Sequence, residues 1–173
     1  MKKYQIIYAD PPWHWKTYSD KGRKKEADNH YPVMETKDIK NLSVGEIAKE
    51  NCILFLWTVD SHLKTALSVG ENWGFVYKTV GFVWDKQNFG MGYWTRKGAE
   101  ICLLFTKGHP KRVSGAVRQF LSDKAREHSR KPDIVRDRIV QLMGDIPRIE
   151  LFAREKTEGW DVWGNEVEND IEL

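Results

Sequence analysis

Cysteine is scarce: Cys52 and Cys102 are the two among 173 residues. Each stands alone in an apolar run, so neither a disulfide framework nor a zinc motif is available, and lone buried thiols suit a reducing cytosol. Long apolar stretches are missing too. Runs such as Cys52-Ile-Leu-Phe-Leu-Trp57 are far too short to span a bilayer. Met1-Lys2-Lys3 is basic, but the apolar stretch behind it soon meets an Asp, so no signal peptide is expected. Proline is also sparse, and two of the six stand side by side as Pro11-Pro12. With no repeat, low-complexity block or linker, residues 1–173 are expected to form a single domain.

What is present describes a soluble globular chain: 40% hydrophobic, 31% charged, mean hydropathy −0.61. A chain of this length buries about 70% of its unfolded surface and needs no metal or disulfide staple. Charge is unevenly placed. Residues 149–173 hold eight acids and two bases, leaving 26 bases against 17 acids in residues 1–148. A positive body with an acidic tail suits a polyanionic partner, although ordinary solvated Lys and Arg would give the same count. Eight tryptophans are many for this length, and serve either as core or as stacking surfaces for bases.

Tyr4–Ala9 reads as a buried strand ended abruptly by Asp10-Pro11-Pro12. Residues 14–31 are polar, carry Lys16, Lys21, Arg23, Lys24 and Lys25, and read as a long functional loop. Ser43-Val-Gly-Glu46 is a capping box opening a short helix. Cys52–Trp57 is a second strand, a helix runs from Ser61 to about Val69, and Phe75–Trp84 is a third strand. Residues 88–98 form a Gly-rich, aromatic and basic loop, followed by a strand at Ile101–Thr106 and a basic region at 107–130. Pro132 marks a helix start, with Val135, Ile139 and Leu142 at helical spacing and Gly144 as the stop. Arg148–Phe152 is another strand. Strands alternating with helices predict an α/β fold with a mostly parallel sheet, whose ligands bind beyond the strands' carboxyl ends.

The sharpest local signal is Asp10-Pro11-Pro12-Trp13 directly after a strand. The prolines stiffen the backbone and carry no N–H, so the segment offers a carboxylate and carbonyls without competing donors. Such an acceptor-only edge fits an aromatic amine. Asp10 and the Pro11 carbonyl would take both amine hydrogens and free the nitrogen lone pair for attack, and Trp13 would stack on the ring. Catalysis would then be positioning and electrostatics, with no metal. The alternative is a tight Pro turn with Trp13 as a core plug.

Asp10-Pro-Pro-Trp13 resembles the signature of the DPPW adenine-N6 methyltransferases. That family includes the catalytic subunit of the eukaryotic messenger-RNA adenine methyltransferase and many bacterial and phage DNA enzymes. Further segments resemble it in order: Leu54-Phe-Leu-Trp57, Gly92-Tyr-Trp-Thr-Arg96 with Glu100, His128-Ser-Arg-Lys-Pro-Asp133, Ile149-Glu-Leu-Phe-Ala-Arg154 and Trp163-Gly-Asn-Glu166. The resemblance implies an S-adenosylmethionine-dependent, Rossmann-like fold with helices on both faces and the catalytic segment ahead of the main cofactor strand. Carried over by position, Asp10 would touch the amine and the cofactor's methionine end. Lys131 would pair with the cofactor carboxylate, and Arg154 and Asn165 would hold the ribose and neighbouring polar atoms, with Glu166 beside them. Independently, Lys131 stands at a helix N-terminus, where backbone N–H groups attract a carboxylate, and Glu150 lies near a strand end, as ribose-binding acids do. Surface ion pairs are the alternative for Lys131 and Arg154.

Two departures follow from the comparison with that family. Relatives usually carry a strand and an acidic turn ahead of the Asp-Pro-Pro strand that contact the cofactor adenine. Here that adenine is expected near Trp160 or Trp163, or on a partner chain. Glu166 also stands where some relatives have Gln.

A target adenine must be flipped out or presented single-stranded. Lys16, Arg23, Lys24 and Lys25 on the first loop, and Tyr93, Trp94, Arg96 and Lys97 on the second, are the expected nucleic-acid contacts. His109, Lys111, Arg112, Arg118, Lys124, Arg126 and Arg130 form a further phosphate track. The expected activity is site-specific adenine-N6 methylation of DNA in the cytoplasm of a bacterial or phage-infected cell, with RNA as an open substrate and a second copy or partner subunit left open. The competitors are methylation of another planar amine, such as cytosine N4 or a protein amide, and a non-catalytic nucleic-acid-binding module on a methyltransferase fold.

Overall fold

The structure is a computed structural model, and the residues it describes are 2–13, 34–92, 94–127 and 130–173. Among the described residues seven strands form one sheet: β1 Tyr4–Ala9, β2 Ala48–Thr58, β3 Val76–Gly90, β4 Lys97–Lys107, β5 Phe120–Ser122, β6 Arg148–Leu151 and β7 Asp161–Trp163. Their order across the sheet is β5-β3-β4-β2-β1-β6-β7. β1 is central and covered on both faces, which is why it reads as a nearly continuous apolar run, interrupted by Gln5. Ile7 and Ala9 join one core, Ile6 and Tyr8 the other.

Four of the six strand pairings are parallel, and β4 runs antiparallel to both β2 and β3. The chain between β3 and β4 is too short for the crossover that a parallel partner needs. The stretch expected as an open loop at 88–98 is therefore largely the end of a long hairpin. β5 lies inside the region read only as basic, and β7 lies in the acidic tail. Both are three-residue strands without a legible alternation.

The helices divide between the two faces. α1 (Thr36–Asn41), α2 (Val44–Ile47) and α3 (Leu63–Asn72) bury Ile39, Val44, Ile47, Ala66 and Val69 against one side. α4 (Ile134–Met143) buries Val135, Ile139 and Met143 against the other. The layout is the Rossmann-like one expected. Ser43 caps α2 by position, but its side chain makes no capping bond. A single 3-10 turn at Asp60–His62 precedes α3, so that helix starts later than Ser61 and runs on to Asn72. On α4, Met143 is buried where Leu142 was expected, completing a stripe of four-residue steps. Gly144 follows at φ 89, a left-handed stop that favours glycine.

This topology gathers the site at one edge. Ala9, Leu151 and Trp163 stand in one row across three parallel strands. The residues that follow them, Asp10, Phe152 and Gly164, therefore leave the sheet side by side. α4 leads back into β6, so its N-terminal end reaches the same edge. No described helix is long and apolar enough to cross a membrane.

Candidate active site at the carboxyl edge of the sheet

The centre of the site is an alternating chain of charges. Lys131, ahead of α4, donates to Asp10 Oδ2 at 2.7 Å and lies 3.2 Å from Glu100 Oε2. Lys86 of β3 donates to Glu100 Oε1 at 2.6 Å. The Lys131 ammonium also lies 5.6 Å from the centre of the Trp57 ring, and Lys86 5.3 Å from that of Trp84. The Glu100 side chain is 6% exposed and that of Lys131 11%, while Asp10 retains 28% at the edge.

Two acids and two bases in one low-dielectric pocket shift one another. Burial alone would raise the Glu100 carboxyl, but Lys131 and Lys86 outweigh it and hold it down at about 2. Burial lowers Lys131, yet the two carboxylates more than reverse this and keep it firmly protonated. For Asp10, burial wins over the Lys131 attraction, and Glu100 adds to it, so its carboxyl sits above the ordinary Asp value. A depressed carboxyl stabilises the fold above its unfolded pKa, and that contribution is lost as pH falls towards the folded one. Glu100 thus contributes about 3 kcal/mol at neutral pH, lost between about pH 5 and 2. Glu100→Gln is expected to lower the urea midpoint at pH 7 and to flatten the fall in stability across that acid window. An unchanged acid slope would contradict this origin.

The stiff corner is only in part the open edge read from its composition. The Trp13 N–H donates to the Pro11 carbonyl at 2.8 Å, a three-residue turn, and the Met34 N–H lies 3.4 Å from the Pro12 carbonyl. One lone pair of each carbonyl is thus engaged within the chain. Trp13 is 9% exposed, and its indole donates to the Trp57 carbonyl at 3.0 Å. Its ring packs in the core with the β1 and β2 side chains and tilts against His62. Trp13 therefore buttresses the corner, and the expected stacking face is largely buried.

Glu150 is corrected as well. It is 7% exposed, and Arg136 of α4 grips it with two bonds of 2.7 and 2.8 Å. Burial raises its carboxyl while Arg136 opposes the rise. This is a structural pair that joins α4 to β6, and it leaves no carboxylate presented to a ribose.

Of Arg154, Asn165 and Glu166, the first and last come near each other. Arg154 Nε lies 4.0 Å from Glu166 Oε1, and all three are exposed just beyond β6 and β7. Phe152 adopts φ 62, an uncommon conformation for a bulky residue, which turns the chain sharply between β6 and Arg154. Gly164 passes so close to Ala153 that a Cβ would overlap the Ala153 carbonyl oxygen. Trp160 is nearly buried against Tyr8 and Arg148, whereas Trp163 is half-buried and meets Phe152 edge-on at 5.4 Å. A hollow of about 680 Å³ opens beside Trp163 and the 169–173 tail.

Those residues suit S-adenosylmethionine by charge. Lys131 matches a carboxylate, Asp10 an ammonium, and the Arg154–Glu166 segment the hydroxyls of a ribose.

Of the expected nucleic-acid contacts, Trp94 and Arg96 are exposed, and Lys97 pairs with Asp60 at 2.9 Å. Arg126 and Arg130 are held by Asp133, so that end of the phosphate track is tied into local ion pairs. Lys16, Arg23, Lys24, Lys25 and Tyr93 lie outside the described residues. Sequence reading missed Lys86 altogether and saw Glu100 only as part of a motif. Their contact depends on the β3–β4 register, which places Trp84 opposite Glu100. Both thiols are buried, and burial pushes Cys52 up to about 12.

The MT-A70 family profile matches residues 4–166. The chain is 41% identical to the Type II methyltransferase M.MunI of Mycoplasma sp over 99% of its own length and 82% of that protein. It is 27% identical to the N(6)-adenosine-methyltransferase MT-A70-like of Arabidopsis thaliana, matching 95% of this chain and 24% of the plant protein. The N(6)-adenine-specific methyltransferase METTL4 of Homo sapiens matches at 22% identity, over 96% of this chain and 38% of the human protein. With Asp10, Lys131 and the Arg154 and Asn165 segments meeting at one edge of a Rossmann-like sheet, the chain belongs to the MT-A70 family of adenine-N6 methyltransferases.

Proposed function

We propose that this protein transfers a methyl group from S-adenosylmethionine to N6 of an adenine in DNA. The observation that carries the reading is Asp10, held at the end of β1 by Lys131 and partly open at the edge where Arg154 and Gly164 emerge. When bound, S-adenosylmethionine supplies an electrophilic methyl group on a sulfonium. Lys131 holds the carboxylate of its methionine end, and Arg154, Asn165 and Glu166 hold the ribose.

Asp10 accepts an N–H of the exocyclic amine and aims the nitrogen lone pair, while the second lone pair of the Pro11 carbonyl takes the other hydrogen. Once N6 carries the methyl group and the S–C bond is broken, leaving a neutral thioether, Asp10 takes the proton that the now acidic nitrogen releases. A carboxylate raised above its ordinary value is better suited to that transfer than an exposed one. Trp13, Lys131 and Glu100 keep the acceptors in place, so the barrier falls by orientation and preset charge.

DNA is favoured over RNA by the type II methyltransferase relative, which the chain matches over most of both lengths. The positive body and the exposed Trp94 and Arg96 support a polyanionic substrate with bases to stack. Expression in a methylation-free host, followed by mass spectrometry of digested DNA and RNA, tests the reading. N6-methyl-deoxyadenosine is expected. N4-methylcytosine, or methylation confined to RNA, would overturn the substrate. Calorimetry showing no S-adenosylmethionine binding, with or without DNA, would overturn the activity.

A further inference from the structure

Three large apolar side chains crowd the end of the β3–β4 hairpin in the open. Phe89 is 78% exposed, Met91 79% and Trp94 94%. Scattered apolar residues are normal on a surface, but three at one protruding tip are not. The hairpin reaches past the sheet on the side of Asp10. The last residue of β2, Thr58, pairs with Ile101, so β4 from Lys97 to Glu100 extends beyond the carboxyl end of β2.

Two ion pairs brace that overhang: Lys97 with Asp60, and Lys86 with Glu100, which in turn meets Lys131. The Phe89 ring packs over Gly98, where an added Cβ would come within 3.2 Å of it. At about 3.3 Å per residue, Gly98 stands roughly 7 Å along the strand from Glu100, and Trp94 within about 20 Å. The tip is thus apolar, braced by ion pairs and within about 20 Å of Glu100, which shares Lys131 with Asp10.

We propose that this tip is a wedge that enters the base stack of duplex DNA and fills the gap left when the target adenine swings towards Asp10. The inference rests on the DNA-adenine reading above. Extruding a base opens a space in the stack, and apolar side chains are the usual occupants of such openings. The charges beside the tip select the occupant. Arg96, which reaches the Met91 sulfur at 3.0 Å and is exposed, suits a flanking phosphate. A second copy of this chain would set like charge against like there.

The test uses the full chain and a duplex carrying a site found to be methylated in the host. Initial rates are compared with those on the same strand placed opposite an unpaired bubble, where the adenine is already unstacked. In Trp94→Ala, and in a variant with Phe89, Met91 and Trp94 all replaced by Ala, the ratio of duplex rate to bubble rate is expected to fall about tenfold or more. 2-Aminopurine at the target position should brighten on binding of the wild type and stay quenched with the variants. Equal losses on both substrates, no loss on either, or conversion of a dimer to a monomer with an unchanged ratio would overturn the wedge. If the wild type methylates no adenine in DNA, the DNA reading itself fails, and the wedge with it.

Discussion

Replacing Asp10 by alanine is expected to remove methyl transfer, a loss of about 10²–10⁴-fold or more, while the protein stays folded. Its carboxylate is the acceptor at the carboxyl edge that the β1 terminus and the two prolines hold in place, and the proton released at the amine has no equivalent destination in the variant. The fold should persist because Lys131 keeps Glu100 at 3.2 Å when Asp10 is gone. Asp10→Asn separates the two duties, since the amide retains an acceptor oxygen but cannot carry the proton. Burial raises the Asp10 carboxyl, so the acid limb of the wild-type kcat/KM profile should lie above the ordinary Asp range. Nucleoside mass spectrometry and a thermal unfolding curve for each variant decide the matter. Normal adenine methylation by Asp10→Ala would remove the basis of the mechanism.

Lys131→Met should be the most destabilising substitution at the site. It deletes the cation between two buried carboxylates and leaves Asp10 and Glu100 facing each other across a low dielectric. Breaking a buried pair by removing one partner costs about 3–5 kcal/mol. The deficit depends on pH with a definite sign. In the variant both carboxyls are raised, so the variant is penalised most at neutral pH and recovers as pH falls and one of them takes a proton. The wild type loses the Glu100 contribution only from about pH 5 down to 2, so the two stability curves should draw together as pH falls and lie nearest each other below about pH 5. Urea unfolding at several pH values measures this. A deficit below about 1 kcal/mol, or one that does not change with pH, would show that Lys131 does not bridge the two acids. Lys131→Arg keeps the charge and should recover most of the stability, and S-adenosylmethionine affinity in that variant then reports the carboxylate contact separately.

These effects show how much of the site was legible along the chain. Asp10 could be found because two prolines after an apolar strand constrain the backbone wherever they occur. Lys131 could be found as a cation beside a helix start. Trp13 could not be assigned, because an indole after a Pro turn serves as readily for stacking as for packing, and only the position of the Trp57 carbonyl decides between them. Glu150 misled for a related reason. Its place near a strand end is visible in sequence, but the strand's neighbour across the layer, Arg136, is not. Lys86 was invisible because nothing local distinguishes it from any other lysine on a strand.

By itself the sequence determined the alternation of strands and helices, the two-faced apolar character of β1 and β2, the stiff corner at Asp10 and the ordered motifs of the family. These depend on periodicities of two and 3.6 residues and on proline sterics, all of which act between near neighbours. The tertiary structure alone decided that β4 runs antiparallel, that Lys131 reaches across 121 positions to sit between Asp10 and Glu100, that Arg136 occupies Glu150, and that an apolar hairpin end stands out beside the site. The physical reason is that strand order and register set which charges share a low-dielectric space, and those depend on how the whole chain closes into its layers.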